Sequence, residues 1–480
     1  MVALYVIFAL IIAFIAIILI RAAMFNPPEE AKRAPEKVIF DEDASVSALQ
    51  ELIRCRTVSY YDPALEDDDE FEKFVELLPK LYPEVARVCS LTRLPGRALL
   101  YKWEGEEHDR PSVLMSHYDV VPVNEEGWTR PPFDAIIDDN GILWGRGCID
   151  TKHTFNGVMF AANHLISRGF KPKQDIYFAF SGGEEVNGPG APNIVDWFEQ
   201  HGIKPAFVLD EGGAVVENIF PGLNRPCGLI GIAEKGMMNL EFRVSSAGGH
   251  SSAPKPHTPI GILSRACCKV ENHPFKMHLS KPASEMFDTL GRYSSFVYRL
   301  IFANLWCFGG LLDILGKKSG GEMNALLRTT VAFTQASGSQ APNVIPPSAS
   351  FVANLRLNPH DNIDSAVEYI RNVVGDENVQ LTVGKNAINP SIISETHCPA
   401  WDMLAETVSE TWPDCIVSPY LMVACSDSRH YGRISNHVYR FSAADLTTDE
   451  RSSIHGNDEH VRVEVVKRTV EFYIRLINKL

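Results

Sequence analysis

The chain has 480 residues, 45% of them hydrophobic, and a formal charge of −15. That length exceeds one ordinary core, so two domains are expected, and the apolar fraction excludes a disordered chain. The acidic excess is spread out with no Lys/Arg-rich block, which excludes nucleic acid and anionic lipid as principal partners.

Residues 2–20 form an uninterrupted apolar run of 19 residues. At about 1.5 Å per helical residue it reaches across a hydrocarbon core of roughly 30 Å. No small-x-small cleavage site closes it, so residues 1–21 are expected to stay as a membrane anchor rather than leave as a signal segment. Arg21, Lys32, Arg33 and Lys37 all follow the run, and by the positive-inside rule they point the rest of the chain to the cytosol. The lack of an Asn-x-Ser/Thr acceptor, apart from a proline-blocked one at Asn389, points the same way. Residues 22–42, with Pro27, Pro28 and Pro35, read as a linker. The ten cysteines, with no Cys-x-x-Cys, read mostly as buried thiols.

A helical pattern over 45–56 precedes short apolar runs at 112–115, 175–180 and 206–209, with helical patterns at 155–168 and 194–201 between them. Strands alternating with helices predict an α/β catalytic domain with a largely parallel sheet flanked by helices, whose ligands bind beyond the carboxyl ends of the strands. From about residue 232 the pattern changes. A strand at 239–244, a helical and apolar stretch over 260–312, and strands at 328–333 and 350–357 predict an inserted α+β domain over 232–360. It divides the catalytic domain into 43–231 and 361–480. The apolar stretch 296–315 is interrupted by Arg299, Asp313 and Gly309-Gly310, so a buried or pocket-lining helix pair is expected there rather than a second span. An amphipathic helix over 463–480 closes the chain.

Five segments each put a metal-type ligand where a strand ends or a loop begins: His117-Tyr118-Asp119, Asp150 in Gly145-Arg146-Gly147-Cys148-Ile149-Asp150, Glu184-Glu185, Asp210-Glu211, and His455-Gly456-Asn457-Asp458-Glu459. Two imidazoles and at least three carboxylates are the set that a pair of zinc ions requires, with one carboxylate shared between them. In Glu184-Glu185 one acid can ligate while its neighbour moves a proton. A serine hydrolase is disfavoured, because no Gly-x-Ser-x-Gly elbow occurs.

In this order, His117-x-Asp119, Gly-Arg-Gly-x-x-Asp150-x-Lys, Glu184-Glu185, Asp210 and His455-Gly resemble the motifs of the co-catalytic zinc peptidases that include aminoacylase, succinyl-diaminopimelate desuccinylase, glutamate carboxypeptidase and carboxypeptidase S. The resemblance covers residues 45–480 and implies a catalytic domain with an inserted lid or dimerisation domain. It also implies two zinc ions per chain, with Asp150 bridging, His117 and Asp210 on one metal, and Glu185 and His455 on the other. Glu184 is then the general base, and Asp119 orients His117. His250, in Gly-Gly-His-Ser-Ser-Ala-Pro, is similar to the family's lid histidine. That residue serves the oxyanion, often in a neighbouring subunit, so a homodimer is among the expectations. Asn343 and Arg356 are similar to the groups that hold the substrate carboxylate, a task that suits the planar fork of arginine. An interdomain ion pair is the alternative for Arg356.

Glu234-Lys235-Gly236, Asn343-Val344-Ile345-Pro346-Pro347 and Asp427-Ser428-Arg429 are most similar to carboxypeptidase S and to the N-fatty-acyl-amino acid synthase/hydrolase branch. Ala424-Cys425-Ser426 departs from the Gly-Gly-Thr or Asn-Thr of relatives. The expected activity is cleavage or formation of the amide bond of N-acyl amino acids. Carboxypeptidase action on short peptides is the rival, and a binding protein without catalysis comes third. That branch works outside the cytosol, which outweighs the charge bias after the apolar run.

Overall fold

A computed structural model of the chain describes residues 1–28, 36–220 and 222–480. The expected linker at 22–42 lies partly outside them. The larger unit is built on a ten-stranded mixed sheet. Its centre is parallel: Gln174–Ser181, Glu107–His117, Phe207–Asp210 and Val438–Arg440 lie side by side. Its flanks are antiparallel, with the hairpin of Ser90–Leu94 and Ala98–Trp103 on one side and Cys227–Glu234 on the other. The central strands are buried on both faces, so their runs are continuously apolar, as in Val113-Leu114-Met115 and residues 176–180.

The helix Lys152–Ser167 is buried along most of its length and packs against Glu42–Ile53 and Val463–Ile477. Gly157 permits the closest approach. A Cβ there would stand 2.7 Å from Thr469 Cγ2 and 2.9 Å from Tyr473 Cδ2. Thr469 cannot easily yield, because its hydroxyl donates to the carbonyls of Ala443 and Val465, each at 2.9 Å.

The second unit is a four-stranded antiparallel sheet in the order Thr330–Ser337, Ser348–Leu357, Gly236–Ser245, Gln380–Val383. Along Gly236–Ser245 the buried Met238, Leu240, Phe242 and Val244 alternate with more exposed Asn239, Glu241 and Arg243. That period of two turns one face onto the helices Pro259–Asn272 and Ile363–Val374. A ribbon of Gly249–His250 paired with Val344–Ile345 extends beyond the strand ends.

Two boundaries differ from the sequence expectation. The Ile363–Val374 helix shares the apolar core of this small sheet, and Gln380–Val383 pairs with Gly236–Ser245, so the unit continues past residue 360. Within it, the helices Lys281–Tyr293, Phe296–Phe302, Leu305–Ser319 and Gly321–Leu327 pack instead on the larger unit, where Met286, Phe287 and Leu290 meet Leu229, Ile416 and Leu421. The chain therefore crosses between the units four times, and the crossings adjoin one another. Lys235 Nζ donates to the carbonyls of Ala325 and Arg328, both at 2.8 Å. His278 N donates to Leu327 O at 2.8 Å, and Met237 bridges to Ile388.

The expected helix pair at 296–315 is present, as Phe296–Phe302 and Leu305–Ser319 bent by 104°. Its burial is not: Val297 is 68%, Trp306 59% and Ile314 63% exposed. The apolar residues outnumber what the underlying core can cover, so the outer face of the bend stays bare. The Val2–Met24 helix packs beside the bend and buries only Ile18 and Ala22. All ten cysteines are free thiols.

Gly157→Ala is expected to lower stability by about 1–3 kcal/mol through overpacking between two buried helices. Thermal or denaturant unfolding checks this, and an unchanged midpoint would show that the helices separate at no cost.

Candidate active site

The ligand-type residues of the five segments converge beyond the carboxyl ends of the parallel strands. Glu107–His117 ends on His117, Gln174–Ser181 leads into the Glu184–Val186 turn, and Phe207–Asp210 leads to Glu211. Asp150 lies in the turn before Lys152–Ser167, and His455 follows the short helix Thr448–Ser453. The two oxygens of Asp150 face different imidazoles: Oδ1 is 3.0 Å from His117 Nε2, and Oδ2 is 3.0 Å from His455 Nε2. Glu185 Oε2 stands 3.2 Å from His455 Nε2, and Glu211 Oε1 stands 3.3 Å from His117 Nε2. Two triads result, His117–Asp150–Glu211 and Asp150–Glu185–His455, each compact enough to hold a metal ion and both sharing Asp150.

Asp119 organises this arrangement from behind. His117 Nδ1 faces its carbonyl at 3.0 Å and its Oδ1 at 3.4 Å. The same carboxylate accepts from the amides of Glu184 at 3.1 Å and Glu185 at 3.2 Å. One buried acid thus fixes both the imidazole and the turn carrying the acidic pair.

The electrostatics call for cations. Burial raises the carboxyls of Glu185 and Glu211 to about 7, with the negative charge of Asp150 adding to the effect. Burial, then the charge of Asp427, raises Asp210 to about 6. Burial holds Glu184 well above the ordinary carboxylate range, against an opposing pull from His117. His455 is raised to about 11 by its hydrogen bonds to Asp150 and Glu185. Protons on these groups stand where metal charge fits. Glu185 Oε1 is buried with no hydrogen-bond partner among the described residues, as expected of an oxygen that faces a metal. The donor set of two imidazoles and three carboxylates fits a zinc pair.

Asp210 does not reach His117 in this arrangement. Its Oδ2 accepts from Ser428 N at 2.8 Å, and the following residue, Glu211, turns to the imidazole instead. Successive side chains at a strand end point opposite ways, and the sequence alone did not tell which of two adjacent acids faces inward.

Glu459 is the supporting residue that sequence reasoning missed. Fully buried, it accepts at one oxygen from Arg146 NH1 (2.8 Å) and Gly147 N (3.0 Å), and at the other from Ile149 N (2.8 Å) and Asp150 N (3.2 Å). Arg146 NH2 also donates to Gly456 O at 2.8 Å. The available signal was an arginine in a glycine-rich turn, which needs an acidic partner when buried.

Arg356, on Ser348–Leu357, is half-buried at the junction of the units. It donates to Asn354 Oδ1 at 3.3 Å and contacts Cys425 Sγ at 3.4 Å. Among the described residues no carboxylate lies within ion-pair reach of it, so the interdomain ion pair is absent. The loop beyond Cys425 backs the acidic cluster: Asp427 accepts from Ser181 Oγ, and Glu234 accepts from Ser426 and Ser428. His250 and Asn343 sit together on the exposed ribbon, where Ser251 N donates to Asn343 O at 3.0 Å and His250 Nδ1 meets Ser252 Oγ at 2.8 Å. The described contacts of these two residues lie within the ribbon, apart from the metal triads.

Comparison with known proteins gives the family and the fold. The family described as Peptidase family M20/M25/M40 matches residues 113–479. The chain is 36% identical over 416 residues to "Probable carboxypeptidase S-like 2" of Dictyostelium discoideum, covering 85% of this chain and 79% of that protein. It is 34% identical over 438 residues to the N-fatty-acyl-amino acid synthase/hydrolase PM20D1 of Xenopus tropicalis, covering 90% and 85%. The crystal structure of the M20 family metallo-carboxypeptidase Sso-CP2 from Sulfolobus solfataricus superposes with a TM-score of 0.66 at 17% identity, covering 92% of this chain and 100% of that one.

Two outcomes are expected. The raised carboxyls and His455 give the metal-free fold stability that is present at low pH. It is lost as pH rises, from about 4 to 7 for the carboxyls and from about 6.5 to 11 for the imidazole. Metal replaces those protons, so the rise in Tm given by Zn2+ over chelator-treated protein should grow between about pH 5 and pH 8. A constant increment would separate the metal from these groups. By the geometry, Glu211→Gln should remove one of two bound metals, while Asp210→Asn weakens binding only about 10–100-fold. Metal analysis of both variants decides, and the reverse order would make Asp210 the ligand.

Proposed function

The chain belongs to the M20/M25/M40 peptidase family and is a metallohydrolase of amide or peptide bonds, and from that premise we propose that it cleaves or forms N-acyl amino acids, fatty-acyl ones foremost, at two zinc ions. The observation that carries this reading is Arg356, a guanidinium half-buried at the junction of the units with no carboxylate partner among the described residues. A substrate's free carboxylate completes it, through the two parallel hydrogen bonds that arginine can donate. The relatives named as N-fatty-acyl-amino acid synthase/hydrolases support the acyl half of the substrate. Carboxypeptidase action on short peptides is the second reading, supported by the relatives named carboxypeptidase S and equally served by Arg356.

In this reading Asp150 would be shared by both metals, His455 and Glu185 would hold one, and His117 with Glu211 or Asp210 would hold the other. When bound, the zinc pair supplies Lewis acidity at the scissile carbonyl and acidifies water. Glu184, held by Asp119, takes the proton from the attacking water and passes it to the departing amine. A carboxyl with a raised pKa suits a group that must carry a proton between steps. His250 and Asn343, remote on their ribbon, serve the oxyanion and the substrate by meeting the site of a neighbouring subunit in a homodimer. The Val2–Met24 helix is a retained membrane anchor with the catalytic units outside the cytosol. Its contacts with the folded body support retention: Arg21 donates to Ala303 O at 2.9 Å, and Asn304 Nδ2 donates to Ile18 O at 3.1 Å.

Glu184→Gln should lower kcat by roughly 10² or more with both metals still bound. Loss of metal in that variant would exchange the roles of Glu184 and Glu185. Arg356→Ala should cost about 2–5 kcal/mol in kcat/KM, and capping the substrate carboxylate a similar amount. Each buried methylene of the acyl chain should add about 0.8 kcal/mol until its pocket is filled, so kcat/KM should rise with chain length. Dipeptides turned over faster than long-chain acyl amino acids, side by side, would decide for the carboxypeptidase.

A further inference from the structure

The bent helix pair Phe296–Phe302 and Leu305–Ser319 presents Phe296, Val297, Trp306, Leu311, Ile314 and Leu315 to the outside, all from one short segment. Scattered apolar residues on a surface need no explanation, but a contiguous group does. Its position supplies one. The bend at Ala303-Asn304 packs against the last turns of the Val2–Met24 helix, and the ring of Trp306 meets Phe14 edge-on, with centroids 5.7 Å apart. Phe14 lies seven residues before Arg21, which is about 10 Å along a helix. If Arg21, at the end of the apolar run, marks the headgroup level, Trp306 lies at the depth of the acyl chains of the same leaflet, whose hydrocarbon half-thickness is roughly 15 Å.

The bend itself lies beside Ile18 and Arg21, at and just below that headgroup level, and its hydrogen bonding suits such a boundary. A helix that ends inside lipid leaves carbonyls with no water to satisfy them. Here the Ala303 carbonyl accepts from Arg21 Nε at 3.1 Å and from NH2 at 2.9 Å. Asn304, itself fully buried, accepts from Arg21 Nε at 3.2 Å and donates to Ile18 O at 3.1 Å and Leu300 O at 2.9 Å. The polar groups of the break are thus closed by the anchor helix itself. Around them the exposed side chains are aromatic and aliphatic, and Lys317 and Lys318 follow at the far end of the second helix, a distribution suited to a membrane boundary.

We propose that this bent pair is a second membrane contact, dipping into the leaflet beside the anchor helix and seating the catalytic body on the bilayer surface. The inference rests on the reading of residues 2–24 as a retained anchor. It deepens the proposed function, because Leu305–Ser319 continues into Gly321–Leu327, in which the carbonyl of Ala325 holds Lys235 beside Arg356. The foot in the lipid and the carboxylate clamp are parts of one connected structure, and long-chain acyl amino acids are amphiphiles that concentrate in bilayers.

The full chain in phosphatidylcholine vesicles provides the test. The chain has seven tryptophans, so the signal of Trp306 is read as the emission of the wild type minus that of Trp306→Phe, a change at an exposed position that keeps a ring against Phe14. Lipid brominated along its acyl chain should abolish most of that difference, and aqueous iodide should leave it unchanged. A difference quenched by iodide and spared by brominated lipid, in protein that resists extraction by alkaline carbonate, would overturn the second contact and leave the anchor standing. Protection from both quenchers, with crosslinking between copies, would assign the face to self-association and likewise overturn it. Release of the chain by carbonate would overturn the anchor and the inference together.

Discussion

The site depends first on one buried carboxylate that touches no substrate. Glu459 accepts four hydrogen bonds, three of them from the main chain of the turn that carries Asp150. It also lies four residues after His455, whose loop is tied down a second time by Arg146 at Gly456. The Arg146–Glu459 contact joins residues 313 apart in sequence. Without such a contact, nothing local would require the oxygens of Asp150 to face two imidazoles, one from the end of the strand Glu107–His117 and one from the loop after the helix Thr448–Ser453. Charge-assisted hydrogen bonds are directional and strong in a buried setting, which suits them to hold ligands within the fraction of an ångström that a metal pair tolerates.

Around that fixed turn the fold concentrates like charge. Asp150, Glu184, Glu185, Asp210, Glu211 and Asp427 are gathered in one place, and among the described residues no lysine or arginine forms an ion pair with any of them. Lys152 is fully buried and spends its ammonium on the carbonyls of Leu52 at 3.0 Å and Cys55 at 2.7 Å. Arg429 donates to Ser426 O and Asn187 Oδ1, each at 2.9 Å. The chain therefore closes its own scaffold and leaves the centre of the cluster to be neutralised from outside. This is the reverse of a structural ion-pair network, in which acids and bases satisfy each other.

Part of this was legible in the sequence, because His117, Glu184-Glu185 and Asp210-Glu211 follow apolar runs and strand ends are where a parallel sheet binds, whereas Asp150 and His455 lie in turns beside helices. The alternation in Gly236–Ser245 and the switch from the βαβ pattern likewise announced a second unit. What escaped has physical reasons. Choosing between Asp210 and Glu211 requires the rotation of a strand end, which Ser428 fixes from 218 residues away. The far boundary of the second unit was misplaced because the Ile363–Val374 helix looks the same whichever sheet it covers. The burial of 296–315 was overestimated because apolar composition cannot distinguish a core from an exposed apolar face. Glu459 was in view beside His455, but a carboxylate that receives main-chain amides leaves no periodic trace.

The seam between the units has a kinematic consequence. Among the described residues its four crossings lie together around Lys235, at one edge of the small sheet. Arg356 is opposite Met237 in the register, one residue beyond that edge, whereas the ribbon bearing His250 and Asn343 starts past Ser245 and Ser348 at the other end of the strands. Eight residue steps of extended chain lead from Met237 to the strand end at Ser245, about 26 Å at roughly 3.3 Å each. Any swing about the seam leaves the guanidinium near the axis almost still and carries the imidazole at the tip through a wide arc. The molecule is in this respect a lever, with the group that would recognise the substrate at its fulcrum and the group that would answer the developing charge at its moving end.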